Sequence, residues 1–193
     1  MRPVSLSVLT VCGIDELPAQ QTRKVTHVLS LLDPGWPELD AFRSFDAHHR
    51  TTLHFHDIIG PMTGWIMPTH GHVEEILHFG SELQASSARR KDAHLLVHCH
   101  MGVSRSTAAM LSLLAQANQS ESEDLLFARL REIRPQAWPN SLMVGYADEQ
   151  LRREGRLTAA LRRHYGQQLK RDPSLHDSMT RLGRSRELAM AES

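Results

Sequence analysis

One short run of the chain holds a cysteine, an arginine six positions on and a serine directly after it: His98-Cys99-His100-Met101-Gly102-Val103-Ser104-Arg105-Ser106. Displacement at a phosphorus centre needs an in-line nucleophile and neutralisation of the equatorial oxygens. A strand–loop–helix turn meets the second need, because its backbone N–H groups converge and the helix N-terminus adds positive partial charge. A cysteine at the start of such a loop sits in that positive field, which favours the nucleophilic thiolate. Arg105 can offer a planar fork to two oxygens. Gly102 permits a backbone conformation that other residues resist, so the chain can approach an anion closely. Ser106 carries a hydroxyl placed to donate to the Cys99 sulfur and ease its departure.

The elements that must position this loop can be read on either side of it. Four segments are short and rich in β-branched or aliphatic residues and are predicted as strands: Val4–Val11, Val25–Leu32, Thr51–His56 and Ala93–His98. They run into Cys12, Asp33, Asp57 and Cys99 respectively, and ligands of parallel sheets bind outside the carboxyl ends of strands. Val73, Ile76, Leu77, Gly80 and Leu83 keep helical spacing, and Thr107–Ala117 is so apolar that it reads as a buried helix. Ser120 with Glu123 reads as a capping box before Leu126, Leu130 and Ile133. Arg134-Pro135 closes that helix. Asn140 or Ser141 caps the next, through Met143, Ala147 and Leu151, and Leu157, Leu161, Tyr165 and Leu169 mark a last one. The expectation is an α/β domain over residues 1–171, with a mostly parallel sheet of four to five strands, flanking helices and a helical C-terminal half. Residues 172–193 read as a charged, mobile tail.

With 193 residues, 22 basic and 22 acidic, the chain has the length of one domain and no global field that would draw nucleic acid or membrane. The charge is uneven: from Leu151 onward there are ten basic against five acidic residues, which reads first as a solvated helix face. Two cysteines make no disulfide framework, the N-terminus has no long apolar core, and no apolar run approaches the roughly 20 residues that span a bilayer. A cytoplasmic location is expected.

His-Cys-x-x-Gly-x-Ser-Arg-Ser resembles the signature of the protein tyrosine phosphatase superfamily, especially its compact dual-specificity-like branch of bacterial type. The resemblance is firm over residues 93–150, loose over 4–60 and absent in the tail. It implies a cysteine phosphatase fold and hydrolysis of a phosphorylated protein or small phosphomonoester through a phosphocysteine on Cys99. Arg105 would be the phosphate clamp in a loop of His100, Met101, Gly102, Val103, Ser104 and Arg105, with no metal and no cofactor. It also implies an aspartate as general acid. Leu53-His54-Phe55-His56-Asp57-Ile58 resembles the acid-bearing segment of small bacterial members, and Arg134–Asn140 resembles the segment whose asparagine braces the loop. By the same resemblance His98 orients the loop and tunes the thiolate.

Asp57 is the expected acid, since it closes the third strand at the edge where Cys99 lies. Asp33 is the alternative at the same edge, and Asp92 precedes the Cys99 strand and so belongs to the opposite end. The 42 positions from Asp57 to Cys99 exceed the usual dual-specificity interval, the excess lying in the Gly60–Pro68 loop and the helix after it. His54 with His56, and His70 with His72, are ligand-like pairs without a third ligand, so no metal is expected. His100 is expected to line the mouth and add positive charge below about pH 6.5. Met62, Trp65 and Met67 either line the cleft or form ordinary core, and Cys12 is either a resolving thiol or a small buried hydrophobe. Two other functions compete: a phosphate-binding module without turnover, and a rhodanese-like sulfurtransferase. Gly-x-Ser-Arg-Ser and Pro139-Asn140 count against the latter. The absence of lysine from the loop counts against a dedicated phosphoinositide phosphatase.

Overall fold

A computed structural model describes residues 8–87 and 93–192, the side chains of residues 86 and 87 excepted. Asp92 and the first part of the expected first strand lie outside them. The described strands are β1 (Val8–Cys12), β2 (His27–Leu32), β3 (His49–His54) and β4 (His94–His98). They pair in the order β1-β4-β2-β3, every pair parallel. The helices are α1 (His70–Ser87), α2 (Arg105–Ala117), α3 (Glu123–Ile133), α4 (Ser141–Gln150), α5 (Arg156–Arg171), α6 (Leu175–Arg181) and α7 (Ser185–Met190). Two 3-10 turns, Ile14–Gln20 and Asp40–Ser44, follow β1 and β2.

Burial on both faces explains why β2 and β4 are continuous apolar runs rather than alternating ones. Leu29, Leu31, Leu95 and Val97 face the main helical core, while Val28 and Leu96 pack with Leu17, Val25 and Phe42 under the 3-10 turns. α2 lies at the centre of the helical layer with residues from Arg105 to Ala115 buried, which is what its apolar composition demands. β4 is the last strand in the sequence but lies between β1 and β2. Its carboxyl end therefore opens into the crevice where the connections of its neighbours leave the sheet.

Several expectations change in detail. β3 ends at His54, so Asp57 lies three residues beyond the strand rather than closing it. Ser122, not Ser120, is the N-cap of α3, and Asn140 caps α4 by accepting from the amides of Leu142 and Met143 (3.1 and 3.2 Å). The largest change is at the C-terminus. The charged stretch forms α6 and α7, with Met179, Arg184 and Glu187 buried. A sparse apolar pattern hid them, because α7 is held mainly by polar bonds. Glu187 accepts from Trp138 Nε1 (2.7 Å) and from the Ser141 amide (2.8 Å).

The connection from β4 to α2 passes hard against the exit of β1. Gly102 has φ +69°, and a Cβ there would stand 2.4 Å from the Cys12 carbonyl carbon. Gly102→Ala should therefore cost about 3 kcal/mol through strain and overpacking, seen as a fall of roughly 6–12 °C in the thermal midpoint. An unchanged melt would remove the close approach from the account of this turn.

Candidate active site

The segment after β4 leaves its carbonyls bonded and its amides free. The His100 carbonyl accepts from the Ile14 amide (2.9 Å). Those of Met101 and Gly102 accept from Arg134 (3.1 and 2.9 Å). Val103 O accepts from the Trp138 amide (2.9 Å) and Ser104 O from the Ala108 amide (3.0 Å). The amides of residues 101–104 donate to no acceptor among the described residues. Outward carbonyls with unpaired amides make an anion-binding concavity. Arg134 is itself fixed by a two-pronged contact with Glu16 (2.8 Å each), whose carboxyl it holds below the ordinary range.

Arg105 begins α2 and is only 3% exposed. Its Nη1 donates to Asp33 Oδ1 (2.6 Å) and to the Phe55 carbonyl (2.5 Å). Its Nε is buried and has no partner among the described residues. The guanidinium is thus pinned at one corner while another donor stays unused, which suits a fork held ready for an anion. Cys99 is buried, and its Sγ lies 3.1 Å from Ser106 Oγ.

Asp57 stands on the same wall. Oδ1 accepts from Ser104 Oγ (2.8 Å) and Asn140 Nδ2 (3.0 Å), and Arg184 Nη2 lies 2.5 Å from it. These contacts all fall on Oδ1, which leaves Oδ2 for chemistry. Burial pushes the carboxyl up, but Arg184, Arg105 and the Asn140 bond outweigh it, so its pKa lies below the ordinary 3.8. Asp33 sits across the site, paired with Arg105.

His100 accepts the Asp33 amide at Nε2 (3.3 Å) and packs on Trp36 at 4.1 Å. Burial and Arg105 lower its pKa, against the pull of Asp33, so it gains a positive charge at the mouth only at lower pH than a free imidazole. His98 is fully buried, bonded to Ser30 Oγ (2.6 Å), and burial drives it down to about 3. It is neutral. Burial pushes Cys12 up to about 12, so it packs as a small hydrophobe with a bound proton. His56 Nδ1 and His72 Nδ1 are occupied by the amides of Ile66 and Thr69. Among the described residues no three His, Cys, Asp or Glu side chains are grouped to hold a metal. No described helix is long and apolar enough to cross a membrane.

Cys99, Arg105 and Asp57 line one cavity of about 560 Å³ with Met62 and Trp65, so that loop flanks the cleft; Met67 does not reach it. Leu175, Met179, Leu182 and Arg184 complete the wall. Sequence reasoning missed these residues. Arg184 resembles any other cation of a basic tail, and only Gly183, with φ +73°, marks the turn before it.

The site is thus a cysteine at the carboxyl end of a parallel-sheet strand, followed by a short loop and an arginine at the first turn of a buried helix. No protein-family model matches the chain. Human protein phosphatase Slingshot homolog 3 is 30% identical over 151 residues, 77% of this chain and 19% of that protein, so the chain spans about a fifth of this curated relative. Human DUSP28 superimposes with a TM-score of 0.55 at 16% identity, covering 78% of this chain and 95% of that one. The Yvh1 phosphatase domain from Chaetomium thermophilum gives 0.53 at 22%, covering 77% and 93%. The human tyrosine phosphatase-like serine/threonine/tyrosine-interacting protein gives 0.53 at 18%, covering 74% and 87%. At these identities the structural likeness is one of fold. The chain is thus similar in sequence to a protein phosphatase and shares the fold of dual-specificity-like members of the protein tyrosine phosphatase superfamily.

A carboxylate whose pKa is depressed on folding stabilises fully above its ordinary value, and that stability disappears as pH falls through the folded value. Asp57→Asn should therefore cost about 2–3 kcal/mol at neutral pH by leaving Arg184 short of its partner. The gap to the wild type should close in acid, as Asp57 of the wild type takes up a proton. Urea melts of both proteins from neutral to acid pH measure this, and a gap that stays constant would show that Asp57 is not held ionised by folding.

Proposed function

We propose that the protein is a cysteine-dependent phosphomonoester phosphatase of the protein tyrosine or dual-specificity type, acting on a phosphorylated protein or small phosphomonoester. The observation that carries the reading is the set of unpaired donors, the amides of residues 101–104 and Arg105 Nε, in one short loop with the Cys99 sulfur. The loop amides beside the helix N-terminus and the buried Arg105 Nε are donors suited to one anion. An oxyanion with three equatorial oxygens fits.

In this reading the Cys99 thiolate attacks phosphorus and an S–P bond forms as the ester P–O bond breaks. Arg105 and the loop amides hold the equatorial oxygens through both steps. Asp57 gives the proton of Oδ2 to the leaving oxygen, then as carboxylate takes a proton from the water that attacks phosphocysteine. The S–P bond breaks and Ser106 donates to the departing sulfur. Asp33 aligns Arg105, while Asn140 and Ser104 hold the inert oxygen of Asp57. Neutral His98, tied to Ser30, fixes the start of the loop and leaves the positive charge to Arg105. Substrate assists the acid: a phosphate dianion cancels the positive field of Arg105 that depresses the Asp57 carboxyl. The chemistry needs no metal or cofactor. Two free, buried cysteines, one of them the nucleophile, suit a reducing compartment such as the cytoplasm.

The test is hydrolysis of p-nitrophenyl phosphate with EDTA between about pH 4 and pH 8, comparing wild type, Cys99→Ser and Asp57→Asn. Expected are EDTA-resistant activity, loss of at least about a thousandfold in Cys99→Ser, and a missing alkaline limb in Asp57→Asn. An alkaline limb kept in Asp57→Asn would transfer the acid to Asp33. Silence of the wild type on this and other phosphomonoesters would leave a phosphate-binding module.

A further inference from the structure

The C-terminal helices bring a cation into the acid's coordination, and this is not implied by the loop. Arg184 is 4% exposed and sits in the turn between α6 and α7. Its Nη2 lies 2.5 Å from Asp57 Oδ1, donates to the Asp57 carbonyl (2.8 Å) and reaches Ser104 Oγ (3.3 Å). One guanidinium thus holds the aspartate by its side chain and by its backbone, and touches the cysteine loop through Ser104. Its other arm lies 3.5 Å from Glu187 Oε1. Glu187 is fully buried and bonded to Trp138 and Ser141, on either side of the Asn140 that also holds Asp57. The geometry is a closed clamp, Arg184–Asp57–Asn140 on one side and Arg184–Glu187–Ser141 on the other.

We propose that Arg184 is the positioning residue of the general acid: α6 and α7 form a strap that fastens Asp57 by Oδ1, so that Oδ2 alone carries the transferred proton. This rests on the reading of Asp57 as acid given above. A carboxyl that can rotate presents its proton to the leaving oxygen only part of the time, whereas one fastened at Oδ1 is pre-oriented, and misplacement of a catalytic group by even 1 Å costs large factors in rate. The same contact holds the free carboxyl ionised. The charged and titratable groups around Asp57 are Arg184, Arg105 and, at longer range, His100, Tyr165 and Glu187; the two arginines dominate. The strap also lends Leu175, Met179 and Leu182 to the cavity wall, so the segment that orients the proton also bounds the space for the leaving group.

Leaving groups distinguish orientation of a proton from mere support of the fold. A phenol much more acidic than p-nitrophenol departs without a proton, whereas an alkoxide of the phosphoserine kind needs one. Arg184→Met and Arg184→Lys are to be compared with wild type on an aryl phosphate of acidic phenol and on an alkyl phosphate, with thermal melts confirming folding. For Arg184→Met the expected result is a loss on the order of 10–100-fold on the alkyl ester, at most about threefold on the activated aryl ester, and an alkaline limb of kcat/KM moved to higher pH. Arg184→Lys, which keeps the charge, should restore a good part of the alkyl-ester rate and of the pH profile. Equal losses on both esters, or an unmoved limb in a folded Arg184→Met, would overturn the proposal and leave the strap a structural element. Asp57→Asn, run alongside, separates the two readings. If it shows no selectivity for the alkyl ester, the acid assignment itself fails; if it does and Arg184→Met does not, only the role of Arg184 fails.

Discussion

A guanidinium almost wholly removed from water at the first residue of α2 sets the terms for the rest of the site. Burying a charge costs several kcal/mol unless fixed partners repay it. The repayment for Arg105 comes from two strand ends at once, Asp33 after β2 and the Phe55 carbonyl after β3. These strands are adjacent and parallel, so both partners arrive at the same edge as the end of β4. Parallel pairing is therefore a requirement of the site as well as a property of the sheet: an antiparallel β3 would take the Phe55 carbonyl to the far end.

The loop around the arginine is polarised by the same economy. Its carbonyls are drawn outward by Ile14, by Arg134 and Trp138 of the α3–α4 connection and by Ala108 of α2, and its amides are left over. The backbone thus adds positive potential to that of Arg105 without adding another formal charge. That field has to be balanced nearby, and the acids at the edge do so in alternation: Asp33 on Arg105, Asp57 on Arg184, Glu187 behind Arg184, and Glu16 on Arg134. Asp57 is consequently held ionised although partly buried. In the proposed mechanism a bound dianion would cancel part of the surrounding positive charge and so ease protonation of Asp57.

The strap of α6 and α7 belongs to this balance. A seven-residue helix and a six-residue helix have little propensity to form alone. They are ordered here by Met179 in the core and by Arg184 and Glu187 against the acid and its cap. Polar anchors of this kind bury little apolar area, so the segment is tied to the chemistry of the edge more than to the stability of the core.

The sequence by itself determined the loop, the buried helix and the strands that frame them. Those signals are local: Cys99 to Arg105 is one turn of chain, the apolar run of α2 can only be interior, and the aliphatic runs of β2 and β4 can only be strands covered on both faces. A cap at Asn140 or Ser141 was legible too, from their place before a helical pattern, and the structure decides for Asn140. Only the tertiary structure decided which charges meet. Asp33 is 72 positions from Arg105 and Arg184 is 127 from Asp57, and no periodicity encodes pairings at such separation. It also decided that His98 and His100 bind a proton less readily than free imidazoles, because burial, not residue type, lowers their pKa. The charged C-terminus read as solvated since charge patterning assumes water as the partner; it is ordered because a half-buried carboxylate at the sheet edge supplies a better one.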